Sequence, residues 1–192
     1  MAIKTFTTGE VLTASDTNTY LANSGLVYVG SSSFVNQTFG QLSNVFSSTY
    51  ENYRIIISSY NTSASPSYSH FQLTSAGTAA TTNYFSKSVW WSMSAGGSAP
   101  VDLDVRTDRY SLGPLGIDPS EPILAAFDIS QPFLTKSTQF TGSTTGSYYT
   151  NYYAMTINGG VNTNTTSYDG IKFFSTAGNV TGTITVFGYR KA

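Results

Sequence analysis

The sequence predicts an all-β protein, an antiparallel β-sandwich of jelly-roll-like type preceded by a short N-terminal arm with a helix. Three observations predict it. Ser, Thr and Asn together fill 68 of the 192 positions, and such side chains keep a surface wet while favouring strands and turns over helices. Aromatic residues make up 15% of the chain and charged residues only 10%, against about 25% charge in ordinary soluble domains. Short apolar or alternating runs recur along the chain with turn-forming residues between them, the spacing expected of a sandwich.

Residues 1–24 read differently from the rest. Thr13 is placed as an N-cap, Asp16 three positions on is a shortened capping-box acid, and Gly25 is a natural stop. Leu12, Tyr20 and Leu21 give this short helix an apolar side. A helix of about ten residues is marginal in water, so it needs another surface to lie on. From Gly25 onward the chain reads as one β domain over 25–192. Its expected strands begin with Leu26–Val29 and Ser33–Phe39. Tyr53–Tyr60 is the central strand, apolar on both faces around Ile55–Ile57, and Tyr68–Leu73 is half-buried through Phe71 and Leu73. Tyr84–Trp91, Ile123–Ile129, Tyr152–Ile157, Ile171–Phe174 and Thr183–Tyr189 complete the set. Turns are expected at Asn61–Ser67, Ala95–Gly97, Gly113–Gly116, Asn158–Gly160 and Asp169–Gly170, with a proline loop over Asp118–Pro122.

Composition narrows function by exclusion. The net charge is −1 with Lys and Arg scattered, so no basic stripe is present to neutralise phosphates and nucleic acid is not an expected partner. The absence of cysteine removes disulfides, thiol catalysis and thiolate metal sites. No run approaches the roughly 20 apolar residues of a membrane span, and no membrane partner is expected. Near-zero charge leaves little self-repulsion, which suits a subunit that packs against copies of itself.

No catalytic constellation emerges, and no enzyme, cofactor or metal is expected. Asp102, Asp104 and Asp108 are the densest carboxylates, and the first two share a face if 101–105 is a strand. A calcium site needs about six to eight oxygen ligands and a loop spacing not present here. A polar edge paired to Arg106 and Arg109 is the simpler reading. His70 is the single histidine; with no partner assignable from sequence, it is expected to face solvent or a neighbouring subunit. Trp90, Trp91, Tyr148 and Tyr149 are candidate glycan contacts, because aromatic faces stack on pyranose rings. Against this, adjacent strand residues point to opposite faces, so one tryptophan of the pair belongs to the core. The loops at 61–68, 92–100 and 142–151 are the expected outward tips.

Two stretches carry a resemblance. The segment Phe6, Gly9-Glu10-Val11-Leu12-Thr13-Ala14-Ser15-Asp16, Asn18, Tyr20-Leu21 resembles the start of tailed-bacteriophage structural proteins, small fibre and appendage subunits above all. Phe46–Ile55 and the ending Gly182–Lys191 are similar to a central segment and the terminal strand of the same group. The resemblance implies a virion component, a homotrimer with an outward β-sandwich, docked on other virion proteins by its arm. Phe6, Val11, Leu12, Tyr20 and Leu21 are the implied anchoring residues. A fibre or appendage touching a host surface glycan is the first role it implies, and a decoration or cement protein of the head is the alternative.

Overall fold

The computed structural model describes residues 7–11, 13–16, 25–61, 67–94, 101–117, 122–149 and 152–190, and only the backbone of 16, 92–94, 101–102, 148–149 and 152. Thirteen strands are described: β1 Leu26–Gln37, β2 Phe39–Leu42, β3 Asn52–Asn61, β4 Ser67–Ser75, β5 Thr78–Ala79, β6 Tyr84–Ser94, β7 Val101–Arg106, β8 Tyr110–Leu115, β9 Ile123–Ser130, β10 Thr138–Tyr149, β11 Tyr152–Asn162, β12 Gly170–Ser175 and β13 Val180–Tyr189. They form two antiparallel sheets. The larger runs β1-β13-β3-β9-β10-β11-β6-β7, and the smaller runs β2-β12-β4-β5 with β8 also paired to β4.

The sheets pack face to face on one aromatic core, a sandwich-like arrangement. Phe71 of β4 stacks on Phe127 of β9 at 4.6 Å between ring centroids and meets Phe140 of β10 at 5.1 Å. Tyr110 of β8 lies 4.3 Å from Phe140 and 4.8 Å from Tyr84. Offset and edge-to-face pairs of this kind add about 0.5–1.5 kcal/mol each beyond area burial. The buried tyrosines also satisfy their polar ends. The Tyr110 hydroxyl donates to the Thr138 carbonyl (2.7 Å), and the Leu73 amide donates to the Tyr84 hydroxyl (3.0 Å).

Alternation decides which residues enter this core. In β3, Tyr53, Ile55 and Ile57 are fully buried while Arg54 and Ile56 face outward, and β9 repeats the pattern with Ile123, Ala125, Phe127 and Ile129. β3 is internal to the large sheet, held between β13 and β9, as its apolar run predicts.

Several expectations change. The two strands expected over 26–39 are one long β1, with register shifts between Tyr28 and Gly30 and between Phe34 and Gln37. β4 is not half-buried: His70, Gln72 and Thr74 are buried beside Phe71 and Leu73. Its second face is covered by Phe174, Asp104 and the turn at Asp108. Asn158-Gly159-Gly160 lies inside β11 and is not a turn. A side chain on Gly160 would meet the Phe85 carbonyl at 2.7 Å, so this glycine serves a close strand approach. Gly113 sits inside β8 at φ 105°, where the sequence places a turn. Residues 142–149 belong to β10, so the expected loop there shrinks to the connection at 150–151.

Of the expected arm helix, the described residues show a single turn, Ala14–Asp16, too short to present an apolar side. Phe6, Leu12, Tyr20 and Leu21 lie outside the described residues, as do the loops at 62–66, 95–100 and 118–121. Val11 is 79% exposed.

Candidate binding surface on the eight-stranded sheet

Several polar groups of the interior gather in one cluster. Asp104 points inward from β7. Its Oδ2 accepts from the Ser111 hydroxyl of β8 (2.5 Å) and from His70 Nε2 of β4 (3.3 Å). Its Oδ1 pairs with Arg106 Nε at 2.7 Å. Ser88 of β6 joins through Ser111 at 3.0 Å, and the Ser86 hydroxyl accepts from the Ser111 amide at 2.9 Å. The expectation that His70 faces solvent or a neighbour is therefore wrong. The ring is fully buried and stacks on Phe174, because the chain at β7 folds over β4 and brings a carboxylate to it.

Burial holds the His70 imidazole below its ordinary pKa, an effect that Asp104 only partly offsets. For Asp104, burial alone would raise the pKa. Hydrogen bonds from His70, Ser111 and Arg106 outweigh it and hold the carboxyl well below the usual range. The arrangement does not activate a nucleophile. In a catalytic triad the imidazole bridges serine and carboxylate, whereas here the carboxylate lies between serine and imidazole, and all three are buried. Its work is structural.

Of the expected polar edge, the pairings to arginine are present, and the Asp102 side chain lies outside the described residues. Asp104 and Asp108 pair with Arg106 and Arg109 respectively. Asp104 is buried rather than part of a solvated edge. The Arg109 guanidinium beside Asp108 holds that carboxyl below its ordinary value.

The outer face of the large sheet has two unlike halves. Toward β7 it is apolar. Cross-strand register aligns Ile157 with Val89 and Leu103, Met155 with Trp91, and Gly159 with Lys87 and Val105. Phe85 is 63% exposed, Val105 59%, Ile157 53%, Leu103 48% and Met155 42%. Lys87 is the only charged side chain in these rows.

The other half is polar. Asp128 of β9 is aligned with Arg54 of β3. Arg54 Nη1 reaches its two oxygens at 3.4 and 3.3 Å, and the Tyr189 hydroxyl of β13 donates to Oδ1 at 2.6 Å. The bond to Tyr189 and the charge of Asp128 raise the Arg54 pKa. Burial, followed by the bond to Asp128, raises that of Tyr189. Beside this trio lies a depression of about 490 Å³ lined by Asn52, Asp128, Ser130, Gln139, Thr141 and Tyr189 among others.

The candidate residues read from the sequence are scattered over this framework. Trp90 points inward and is 6% exposed, while Trp91 points outward and is half-buried, as strand alternation requires. Tyr148 and Tyr149 end β10, and their side chains lie outside the described residues. Nothing in the sequence points to Asp128, Gln139 and Tyr189, because β9, β10 and the distant β13 come to one face only through the sheet order.

No family model matches the chain, and no curated protein matches it. Among solved structures, it is similar to the CBM2 module of the evolved Dit of Lactobacillus casei BL23 phage J-1. That alignment covers 87% of this chain and 77% of the module, at 10% identity and a TM-score of 0.26. A likeness this slight carries no argument about fold or function.

Proposed function

We propose that this chain is a structural, non-enzymatic subunit of a tailed-phage virion, a fibre or appendage component. It docks on other virion proteins through residues 1–24 and displays the jelly-roll-like domain of 25–192. Copies associate as a homotrimer across the apolar half of the large sheet. The resemblance of the N-terminal segment to phage appendage subunits motivates the virion assignment. The observation that carries the assembly role is the apolar field itself. At roughly 100 Å² apiece, Phe85, Leu103, Val105, Tyr153, Met155 and Ile157 leave on the order of 600 Å² of apolar surface in water. The largest patch on an ordinary monomer is about 300–600 Å², while each partner in a standard interface contributes about 800 Å². In a closed trimer one part of this field on each copy meets a different part on the next, and the single Lys87 with a net charge of −1 adds little repulsion.

Two measurements test this. Sedimentation should give about three times the 20.6 kDa chain mass, falling to the monomer in Ile157→Asp with the strand signal in circular dichroism intact. A wild-type monomer at every concentration would end the assembly role. Immunogold labelling of intact particles with antibodies to 25–192 should mark tail or neck. Label over the head would make the protein a decoration subunit, and no label on any particle would remove the virion assignment.

A further inference from the structure

We infer that the depression beside Asp128 is a binding site for a neutral saccharide. This site is separate from the apolar field and from the aromatic candidates of the sequence. Three features carry the inference. The first is shape. The depression opens over β9, β10 and β11, with Ser130, Thr141 and Gly160 in its lining. Its volume of about 490 Å³ falls within the roughly 300–1,000 Å³ of small-ligand sites.

The second feature is the set of hydrogen-bonding groups. The Asp128 carboxylate is fixed in place by Arg54 and the Tyr189 hydroxyl. A carboxylate has about four lone-pair sites, so it can still accept from an incoming hydroxyl. Around it, Asn52, Ser130, Gln139 and Thr141 line the same space. Two amides, two hydroxyls and a held carboxylate offer both donors and acceptors, the complement that vicinal hydroxyl groups require. An amide that gives with its NH₂ and takes with its carbonyl can span two neighbouring hydroxyls, and two such amides flank this carboxylate.

The third feature is the balance of charge. Arg54 neutralises Asp128, so neither an anion nor a cation finds an uncompensated partner there, and a neutral polyol does. Tyr189 adds an apolar ring whose position is fixed by its bond to Asp128. Such a ring covers the C–H face of a sugar while the polar groups take its hydroxyls. The site is a shallow surface, so affinity for a single sugar ring should be in the millimolar range, about 4 kcal/mol.

The test is a nitrogen-15 correlation spectrum of the full chain, titrated separately with glucose, galactose, rhamnose and N-acetylglucosamine, with glycerol as the control for nonspecific effects. One sugar should shift the side-chain amide signals of Asn52 and Gln139 saturably, and glycerol should not. Gln139→Ala should weaken that sugar about tenfold while leaving the rest of the spectrum in place. Asp128→Ala should abolish binding, and Thr141→Trp, which fills the depression with Asp128 intact, should do the same. The inference is overturned if no sugar shifts those amides, if glycerol shifts them equally, or if binding survives both Gln139→Ala and Thr141→Trp. Immunogold labelling does not bear on it: a particle without label removes the virion assignment and leaves the titration standing.

Discussion

Replacing Asp104 by alanine tests whether the buried polar cluster holds β4, β7 and β8 together. The substitution removes the acceptor of the Ser111 hydroxyl and of His70 Nε2, and the ion-pair partner of Arg106. Arg106 is about one-third exposed and turns to water. His70 is fully buried and has no such exit, whereas the Ser111 hydroxyl can still turn to Ser88. Each buried donor left without a partner costs about 1–3 kcal/mol. Relief from desolvating the carboxylate offsets part of this, and the expected loss is about 3 kcal/mol, near the lower end for breaking a buried charged pair. That is a large share of the roughly 5–15 kcal/mol by which a domain is stable. In urea at neutral pH, with a slope of about 2 kcal/mol/M, the unfolding midpoint should fall by about 1.5 M. Asp104→Asn keeps one acceptor oxygen of the same shape and should lose roughly half as much. A midpoint for Asp104→Ala within about 0.5 M of wild type would mean that water reaches His70 and Ser111 and that the cluster is not closed.

Three further outcomes follow from the same packing. The folded pKa of His70 is lowered, so below about pH 6.5 the unfolded chain takes up a proton that the folded one refuses. Stability is complete above that pH and declines as pH falls, by at most about 1.4 kcal/mol per pH unit. Because His70 is the only histidine, His70→Gln should flatten the urea midpoint between about pH 5 and 7, and an unchanged slope would count against the assignment. Phe71→Ala removes the ring shared by Phe127, Tyr110 and Phe140 and should cost about 3–5 kcal/mol in denaturant unfolding; a loss below about 1 kcal/mol would show that the core refills the space. At Gly182, a Cβ would come within 2.2 Å of the Ser58 carbonyl, whereas at Gly30 the nearest atom is Val45 Cγ1 at 3.4 Å. Gly182→Ala should therefore lower the melting temperature by several degrees, for a cost of about 1–3 kcal/mol, and Gly30→Ala should leave it nearly unchanged.

The strands legible in the sequence are those whose apolar residues alternate or run continuously: β3, β6, β9, β12 and β13. β10 escapes a reading of periodicity because TQFTGSTTGSYY carries almost no apolar signal. It is a strand because β9 and β11 flank it on both sides, so ladder hydrogen bonds fix it where packing propensity does not. β8 reads as a turn because glycine and proline interrupt it, yet every residue from Tyr110 to Leu115 is buried. His70 is misplaced by the sequence for a related reason. A lone histidine on an alternating strand reads as solvent-facing until β7, about 35 residues away, supplies Asp104. The Asp128 depression is illegible in the same sense. Arg54, Asp128 and Tyr189 are neighbours only through the pairings of β3 with β9 and β13, and pairing partners are not written in local periodicity.

The geometry of the sheet edges also bears on how copies of the chain meet. A sheet can extend by pairing an edge strand with its counterpart or by burying a face, and natural edges are often blunted against the former. β7 stands at one end of the large sheet and turns Asp104 inward, a charge held by the cluster beneath. β1 stands at the other end and is irregular at two places. Both are devices that discourage edge pairing. Edge-to-edge growth would in any case leave Leu103, Val105, Met155 and Ile157 in water, since strand addition covers backbone and not the sheet face. Face burial removes the same side chains from water at about 25 cal/mol per Å², and the Asp128 depression, on the β3–β9–β10 side of that face, stays open. On the proposed assembly, association across the β6–β7–β11 field would cover the exposed apolar surface without closing the polar one.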